Sequence, residues 1–486
     1  MNLLDALCSF DANSVIELSL SPFFERSHAS VSRAIQDYNS GRQGEHVDIQ
    51  DDFIPMLKER ALSRWDLPYH MFAIDVSPIP RPYASNLKER QIVHANNPTP
   101  GQKPIAVGHQ VSCLAATAPG ELALPLSLKR VPLDVSQTDF GLEQAETVGN
   151  HINDKPCLMA CDAKYSNRES LYRAYDWSNN VLLTRLSPTR KFYQRHEYNP
   201  KDISRRGPTP KYGTPFKLSE PDTHPTPDDT TKIIFHKTDN TDWRLKIERF
   251  DNLLIRGKKD LPLHDKPMSI FKITVFDQAG SPLYREPLWL VGVGHKVKSI
   301  ALEYIFLAYH LRFDIEHWFR FAKRHLLLDQ FQSADLEHIE NWLLYPMLAT
   351  HQLDCARDVV TECHRPWETT NQNKPLAAAQ IKRGMGQVLH AVGTPAGPPK
   401  TRGIGSGRAV GSKNVEQREK SPIQFKTPKK LFAGKVTIKI PLDSPQGLGQ
   451  AELNVESLPE IGKGIRKSLK TLLHDGQATL DLAKTG

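Results

Sequence analysis

The stretch YHLRFDIEHWFRFAKRHLLLDQFQ, from Tyr309 to Gln332, carries four residues whose types and spacing suit chemistry on a phosphate. Read as one helix advancing about 100° per residue, it places Arg312, Glu316 and Lys323 within roughly 60° of arc that includes Tyr309. Leu307, Leu311, Trp318 and Phe321 fall on the far side, where they would seat the helix on a core. One face is then apolar, and the other presents a phenol, two cations and a carboxylate. An i,i+4 salt-bridge ladder would account for such a face equally well, at only a few tenths of a kcal/mol per pair.

Two further acids sit at the ends of short apolar runs: Asp75 in YHMFAIDVSPIPRPYA and Asp162 in CLMACDAKYSN. An acid at a strand terminus is held by rigid sheet yet reaches solvent, which suits ligation of a hard cation such as Mg²⁺ through oxygen. Singly, each Asp reads as a loop or cap residue. Jointly, two strand-end carboxylates and a third from a helix can hold two metal ions, one activating a water or 3′-hydroxyl and one stabilising the leaving oxygen of a phosphoryl transfer. His70, His109, His310 and His317 form no tight ligand cluster in the sequence, so a carboxylate-held hard metal is preferred over a histidine site.

The elements that must position these residues follow from periodicity. Residues 1–65 read as helical, with apolar positions spaced for one face. From 66 to 180 short strand-like runs (YHMFAIDVS, PIAVGHQVSCLAAT, PCLMACDAKY) alternate with helical stretches, which predicts an α/β core. Residues 181–297 read as β-rich, interrupted by SRRGPTPKYGTPFKLSEPDTHPTPDD, whose prolines predict a long exposed loop. Helical signals return over 298–384. Residues 385–430 read as a basic disordered linker, and 431–486 as a tail of unknown role with a short helix candidate at IGKGIRKSLKTLL.

The composition is that of a soluble protein, with 39% hydrophobic and 24% charged residues, and no apolar run long enough to span a membrane. The amino terminus lacks a basic leader followed by an apolar stretch, which predicts a cytoplasmic protein. Six cysteines in 486 residues build no disulfide framework. The pairs Cys157/Cys161 and Cys355/Cys363, even with His364, match no zinc-knuckle spacing. The net charge of +8 is concentrated: Lys400–Lys430 holds nine Lys/Arg against two Glu (9 − 2 = +7), and Ser187–Lys217 eight against two acids (8 − 2 = +6). Such blocks attract polyanions, nucleic acid foremost, or else serve as solvated linkers.

The spacing Tyr309-x2-Arg312-x3-Glu316-x6-Lys323 resembles the Tyr-Arg-Glu-Lys signature of insertion-sequence transposases of the DDE superfamily. AIDVSPIPRPYASNLKERQIVH is similar to that family's first catalytic-Asp block and CLMACDAKYSN to its second. The resemblance covers about residues 70–345. It implies a ribonuclease-H-like catalytic core with a β-rich insertion; the amino-terminal helical region, read from its periodicity and outside the resemblance, is a candidate for DNA binding. It further implies that Asp75, Asp162 and Glu316 are the catalytic acids and ligands of two Mg²⁺ ions, with Mn²⁺ able to substitute. Tyr309, Arg312 and Lys323 would contact DNA phosphates, joined by Arg81 near the first Asp and by Arg205 and Arg206 in the basic loop. Trp243 or Trp289 would stack on an extruded base, although an aromatic in a β domain is more often core. The implied partners are double-stranded DNA carrying transposon-end inverted repeats and a second copy of the chain, in a homodimer on DNA. The implied setting is a bacterial nucleoid, with no membrane. Two other readings share these residues: a domesticated derivative that binds DNA without cutting it, and a different two-metal nuclease.

Overall fold

The computed structural model of this chain describes residues 2–36, 49–94, 104–196, 210–236, 241–361, 363–368, 375–398, 400–401, 411, 420–423, 436–441, 448–453 and 479–481. These divide into two compact units, Met1–Gln424 and Phe425–Gly486.

Three helices open the first unit: α1 (Asn2–Ser9), α2 (His28–Gln36) and α3 (Ile54–Leu62). The strands β1 (His70–Pro80), β2 (Gln91–His94), β3 (Ile105–Ala116) and β4 (Leu124–Arg130) follow, then α4 (Gln137–Asn150), β5 (Cys157–Cys161), α5 (Arg168–Ala174) and β6 (Asn180–Arg185). The β-rich part comprises β7 (Lys191–Arg195), β8 (Tyr212–Lys217), β9 (Asp229–His236), β10 (Asp242–Leu253), β11 (Met268–Phe276) and β12 (Leu288–Val293). Helices α6 (Leu302–Leu311), α7 (Asp314–His325), α8 (Leu336–Ala356) and α9 (Ala378–Ala391) complete the unit. The second unit contains a three-stranded antiparallel sheet of β13 (Val436–Pro441), β14 (Leu448–Leu453) and β15 (Thr479–Asp481), in the order β14-β13-β15. The helix candidate at 461–473 lies outside the described residues.

One ten-stranded sheet runs through the first unit in the order β2-β3-β1-β5-β6-β12-β11-β10-β9, with β4 also paired to β3. Strands β4, β3 and β1 are antiparallel, whereas β1, β5 and β6 run parallel. This mixed arrangement is consistent with a ribonuclease-H-like core. The parallel strands read as continuous apolar runs because both of their faces are covered. Alternation assigns each side: Met71, Leu158, Val181 and Leu183 join the core under α6, while Phe72, Ile74, Met159 and Leu182 join the larger core with α4, α5 and α8. Gly141 on α4 makes the close approach possible, since a Cβ there would overlap the Tyr165 hydroxyl and stand 3.1 Å from Ile74 Cγ2.

Several expectations change. The β-rich segment extends the core sheet, because β12 pairs antiparallel with β6. The proline-rich stretch contains β8, which pairs with β7 in a separate two-stranded ribbon anchored by the fully buried Phe192 and Phe216. A ribbon leaves most ladder positions at an edge, so Pro215 is tolerated. Helix α9 continues past Gly384 to Ala391, since Ile381, Met385 and Leu389 are buried on one side. Helices α1 and α2 pack against α8, and α1 also against α9.

Candidate active site

The parallel pairing of β1 with β5 matches Ile74 to Cys161, so Asp75 and Asp162 occupy the next positions on neighbouring strands. Asp75 is partly buried, and its Oδ1 accepts a hydrogen bond from the Val76 amide at 2.8 Å. Burial raises the Asp75 pKa above the usual carboxylate range; the Val76 amide and Arg312 oppose this, and the negative charges of Asp162 and Glu316 add to it. Asp75 thus feels two other acids, and it lies in the middle of β1, an interior strand, and not at a strand end. Asp162 also caps the 3₁₀ turn that follows, its Oδ1 accepting from the Lys164 amide at 2.9 Å, and its carbonyl accepts from Thr184 Oγ1 at 2.5 Å. The cap and the cluster are thus roles of one residue.

The stretch carrying Glu316 is not one helix. It breaks at Arg312 and Phe313 between α6 and α7, where Phe313 N donates to His310 O and Glu316 N to Phe313 O in tightened turns. Neither glycine nor proline marks the break, and both residues keep right-handed helical angles, so the face inferred for a single helix is bent but retained. Helix α7 is seated on the core by Ile315, Trp318 and Ala322, all fully buried, and Trp318 Nε1 donates to Thr350 Oγ1 on α8 at 3.0 Å. Burial of a side chain such as Ile315 contributes about 1.5–3 kcal/mol, and that of the Ala322 methyl about 0.8 kcal/mol.

Arg312 is 8% exposed and donates from Nη2 to Glu316 Oε1 at 3.3 Å, while Glu316 remains 46% exposed. The Arg312 guanidinium lies over the Phe313 ring at 4.4 Å and the Tyr309 ring at 5.7 Å, and its buried Nε has no hydrogen-bond partner. Tyr309 is buried; desolvation raises its phenol pKa, against the pull of Arg312 and Arg185. Lys323 is half-buried and donates to the Pro78 carbonyl on β1 at 2.8 Å; burial lowers its pKa, opposed by Asp329. Lys323 therefore ties α7 to the strand that carries Asp75.

The remaining expected residues lie apart from this group. Arg81 does not face solvent freely: its guanidinium donates to the carbonyls of Asp329 and Phe331, and burial lowers its pKa. Trp289 is core, packed against Phe216, His224 and Phe250. Trp243 is half-buried beside Phe235 and His310. It lines a cavity of about 510 Å³ whose wall also includes Arg185, Tyr284, Tyr309 and Phe313. Arg205 and Arg206 lie outside the described residues.

One residue that the sequence did not single out stands beside the acids. The β5–β6 register pairs Cys161 with Thr184, so the exposed Arg185 follows directly beside Asp162. In sequence it reads as any arginine at a strand end; only the sheet order gives it this place.

Three carboxylates of this kind match in chemistry the oxygen donors that a divalent ion requires. They form no closed ligand shell, however: among the described residues no group of three His, Cys, Asp or Glu side chains is gathered tightly enough to hold a metal ion. Glu316 is held by Arg312 instead.

The fold and site define a class: a mixed α/β protein with acids on adjacent parallel strands and a third on a later helix. Residues 1–247 match the family described as DDE superfamily endonuclease, and the chain belongs to that family. The matched span includes Asp75 and Asp162 and ends before Glu316. Nucleases of this superfamily generally depend on divalent metal ions. No curated protein matches the chain. Among solved structures, a cryo-EM structure of a piggyBac transposase synaptic complex with hairpin DNA is similar over 81% of this chain and 70% of its own. That likeness, at 8% identity and a TM-score of 0.32, is too slight to bear on function. Among the described residues no helix is long and apolar enough to cross a membrane.

Proposed function

We propose that this chain is a DNA transposase that cuts the ends of an insertion sequence and joins them to a target, with Asp75, Asp162 and Glu316 as its catalytic acids. The observation that carries the reading is the β1–β5 register, which sets Asp75 beside Asp162, together with the electrostatic influence of Glu316 on Asp75. Two Mg²⁺ ions held by these three carboxylates would supply activation of the attacking water or 3′-hydroxyl and stabilisation of the leaving oxygen. Arg312 orients Glu316 through its Nη2 contact and would share its charge with a phosphate beside that acid. Tyr309, Arg185 and Trp243 line one cavity in which a DNA segment would lie. Lys323 holds β1 against α7 in the free protein and becomes available to phosphate on release from Pro78. Inverted repeats at the element's ends and a homodimer on DNA complete this reading.

The competing reading is a derivative that binds DNA without cutting, favoured by the Arg312–Glu316 pair and the open ligand set. One experiment separates them. The full chain is incubated with Mg²⁺ and duplex DNA bearing the repeats that flank its gene. End-specific nicking is expected, falling by about 10²–10³-fold in Glu316→Gln, as loss of several kcal/mol of transition-state stabilisation requires. Nicking that persists in Glu316→Gln overturns the assignment; binding with no nicking by the unaltered protein selects the second reading.

A further inference from the structure

A second cationic site lies outside the acid cluster, on the ribbon formed by β7 and β8. Tyr193 on β7 is buried, with 8% exposure, and two cations lie over its ring: Arg256 with its guanidinium carbon at 4.9 Å and Lys191 with its ammonium at 5.1 Å. Two like charges drawn to one aromatic ring repel each other, and the ring offsets only part of that repulsion. Both side chains belong to exposed residues, and neither has a carboxylate partner among the described residues. Among the described residues, then, neither is half of an ion pair. An anion bridging them would relieve the repulsion.

The site connects to the acids through a contiguous set of contacts. Lys164, exposed, follows Asp162 in the turn that Asp162 caps. Asn167 caps α5, whose first residue, Arg168, donates from Nε to the Arg256 carbonyl at 2.7 Å. Arg190, immediately before Lys191, donates to Ser166 of the same turn, to its carbonyl and to Oγ at 3.2 Å. Glu169, on the same helix as Arg168, is taken by Lys258 at 3.2 Å. Among the described residues no carboxylate pairs with Lys191 or Arg256, and these two share their surface with Lys164 and Arg168, the first of which stands two residues from Asp162.

We propose that Lys164, Arg168, Lys191 and Arg256 form a phosphodiester-binding track that holds the backbone of duplex DNA where it leaves the acid cluster. The track rests on the nuclease reading for its direction, and on Tyr193 and its two cations for its existence. Repeating phosphates suit it better than one small anion, because its charges are strung along two elements and are not gathered in one enclosed pocket.

The test uses the full chain and a short random-sequence duplex, with affinity measured by fluorescence anisotropy over a range of salt concentrations. Each phosphate contact contributes about 0.9 to the slope of log affinity against log salt. The double variant Lys191→Gln/Arg256→Gln should lower that slope by about 1.8, and Lys164→Gln, which leaves Tyr193 untouched, by about 0.9. Arg256→Lys should retain the slope, since a point charge still neutralises a phosphate, and this distinguishes lost charge from lost structure. A slope unchanged in both glutamine variants, with unfolding midpoints near that of the parent, overturns the track. Mg²⁺-dependent nicking of repeat-bearing DNA is read in parallel. Slope loss without any nicking by the parent upholds the track and removes the transposase reading; normal nicking with an unchanged slope does the reverse.

Discussion

Two buried histidines should make this protein lose stability in mild acid, and the size of the loss follows from their surroundings. His351 on α8 is 5% exposed; its Nε2 donates to the Pro125 carbonyl on β4 at 2.8 Å, and its Nδ1 has no partner. His109 on β3 is 2% exposed and bonds the Lys88 carbonyl at 2.9 Å. Desolvation lowers each to a pKa of about 4 from the ordinary 6.5, partly opposed by the carbonyl contacts. A depressed folded pKa means that the unfolded chain takes up the proton first. The stabilisation is therefore whole above about pH 6.5, shrinks as pH falls, and is gone below about pH 4. A difference of about 2.5 units corresponds to roughly 3 kcal/mol per histidine at the acid limit, and about 2 kcal/mol is already lost at pH 5. Urea unfolding at pH 7.5 and pH 5 should thus show a drop of about 4 kcal/mol from the pair. His351→Gln should shrink that drop by about 2 kcal/mol, whatever it does to stability at neutral pH. Most carboxylates titrate below this window, but burial pushes Asp314 up to about 6, which adds stability as pH falls and offsets part of the drop, so the comparison with His351→Gln is what isolates the histidine. An identical pH dependence in His351→Gln would refute the argument, as would a His351 that titrates near 6.5 by NMR.

Two other expectations concern the scaffold around the acids. Asp354 on α8 is fully buried and faces Arg60 at 2.8 Å, Arg357 at 3.4 Å and Arg64 at 3.7 Å, so Asp354→Ala should cost about 3–5 kcal/mol by leaving these guanidiniums uncompensated. Calorimetry or urea unfolding checks it, and a loss below about 1 kcal/mol would show that the arginines find other partners. Lys323→Met should lower unfolding stability by about 1 kcal/mol through loss of the tie to Pro78, and no loss would show that the ammonium is free in solution.

The parts of the fold legible in the sequence were those with a strong local period. YHMFAIDVS and PCLMACDAKY announce β1 and β5 because a strand covered on both faces must be apolar throughout; Asp162 does end its strand, whereas β1 runs on to Pro80 and leaves Asp75 in mid-strand, paired with Cys113. Strands β4 and β8 were hidden for opposite reasons. LPLSLKR is short and begins beside proline, while YGTPFK sits within a proline-rich stretch and depends on one buried phenylalanine. The break between α6 and α7 leaves no trace, because Arg312 and Phe313 stay in helical geometry and only their hydrogen bonds tighten. Arg185 was illegible for a topological reason: its nearness to Asp162 exists only once β6 is placed beside β5. The contrast between Trp243 and Trp289 was equally beyond composition, since both lie in β strands and their surroundings come from distant segments.

The pairing of β12 with β6 bears on how such a chain can be rebuilt. Because the β-rich segment is hydrogen-bonded into the sheet that carries the acids, it cannot be excised as a cassette: its removal would bare β6, next to Asp162, as a new edge open to aggregation. The β7–β8 ribbon is a separate sheet, yet it too is tied in, by the paired hydrogen bonds between Tyr193 and Leu254 and by the buried Phe192 and Phe216. Ribbon and strands from β12 to β9 should therefore travel with the catalytic half as one piece.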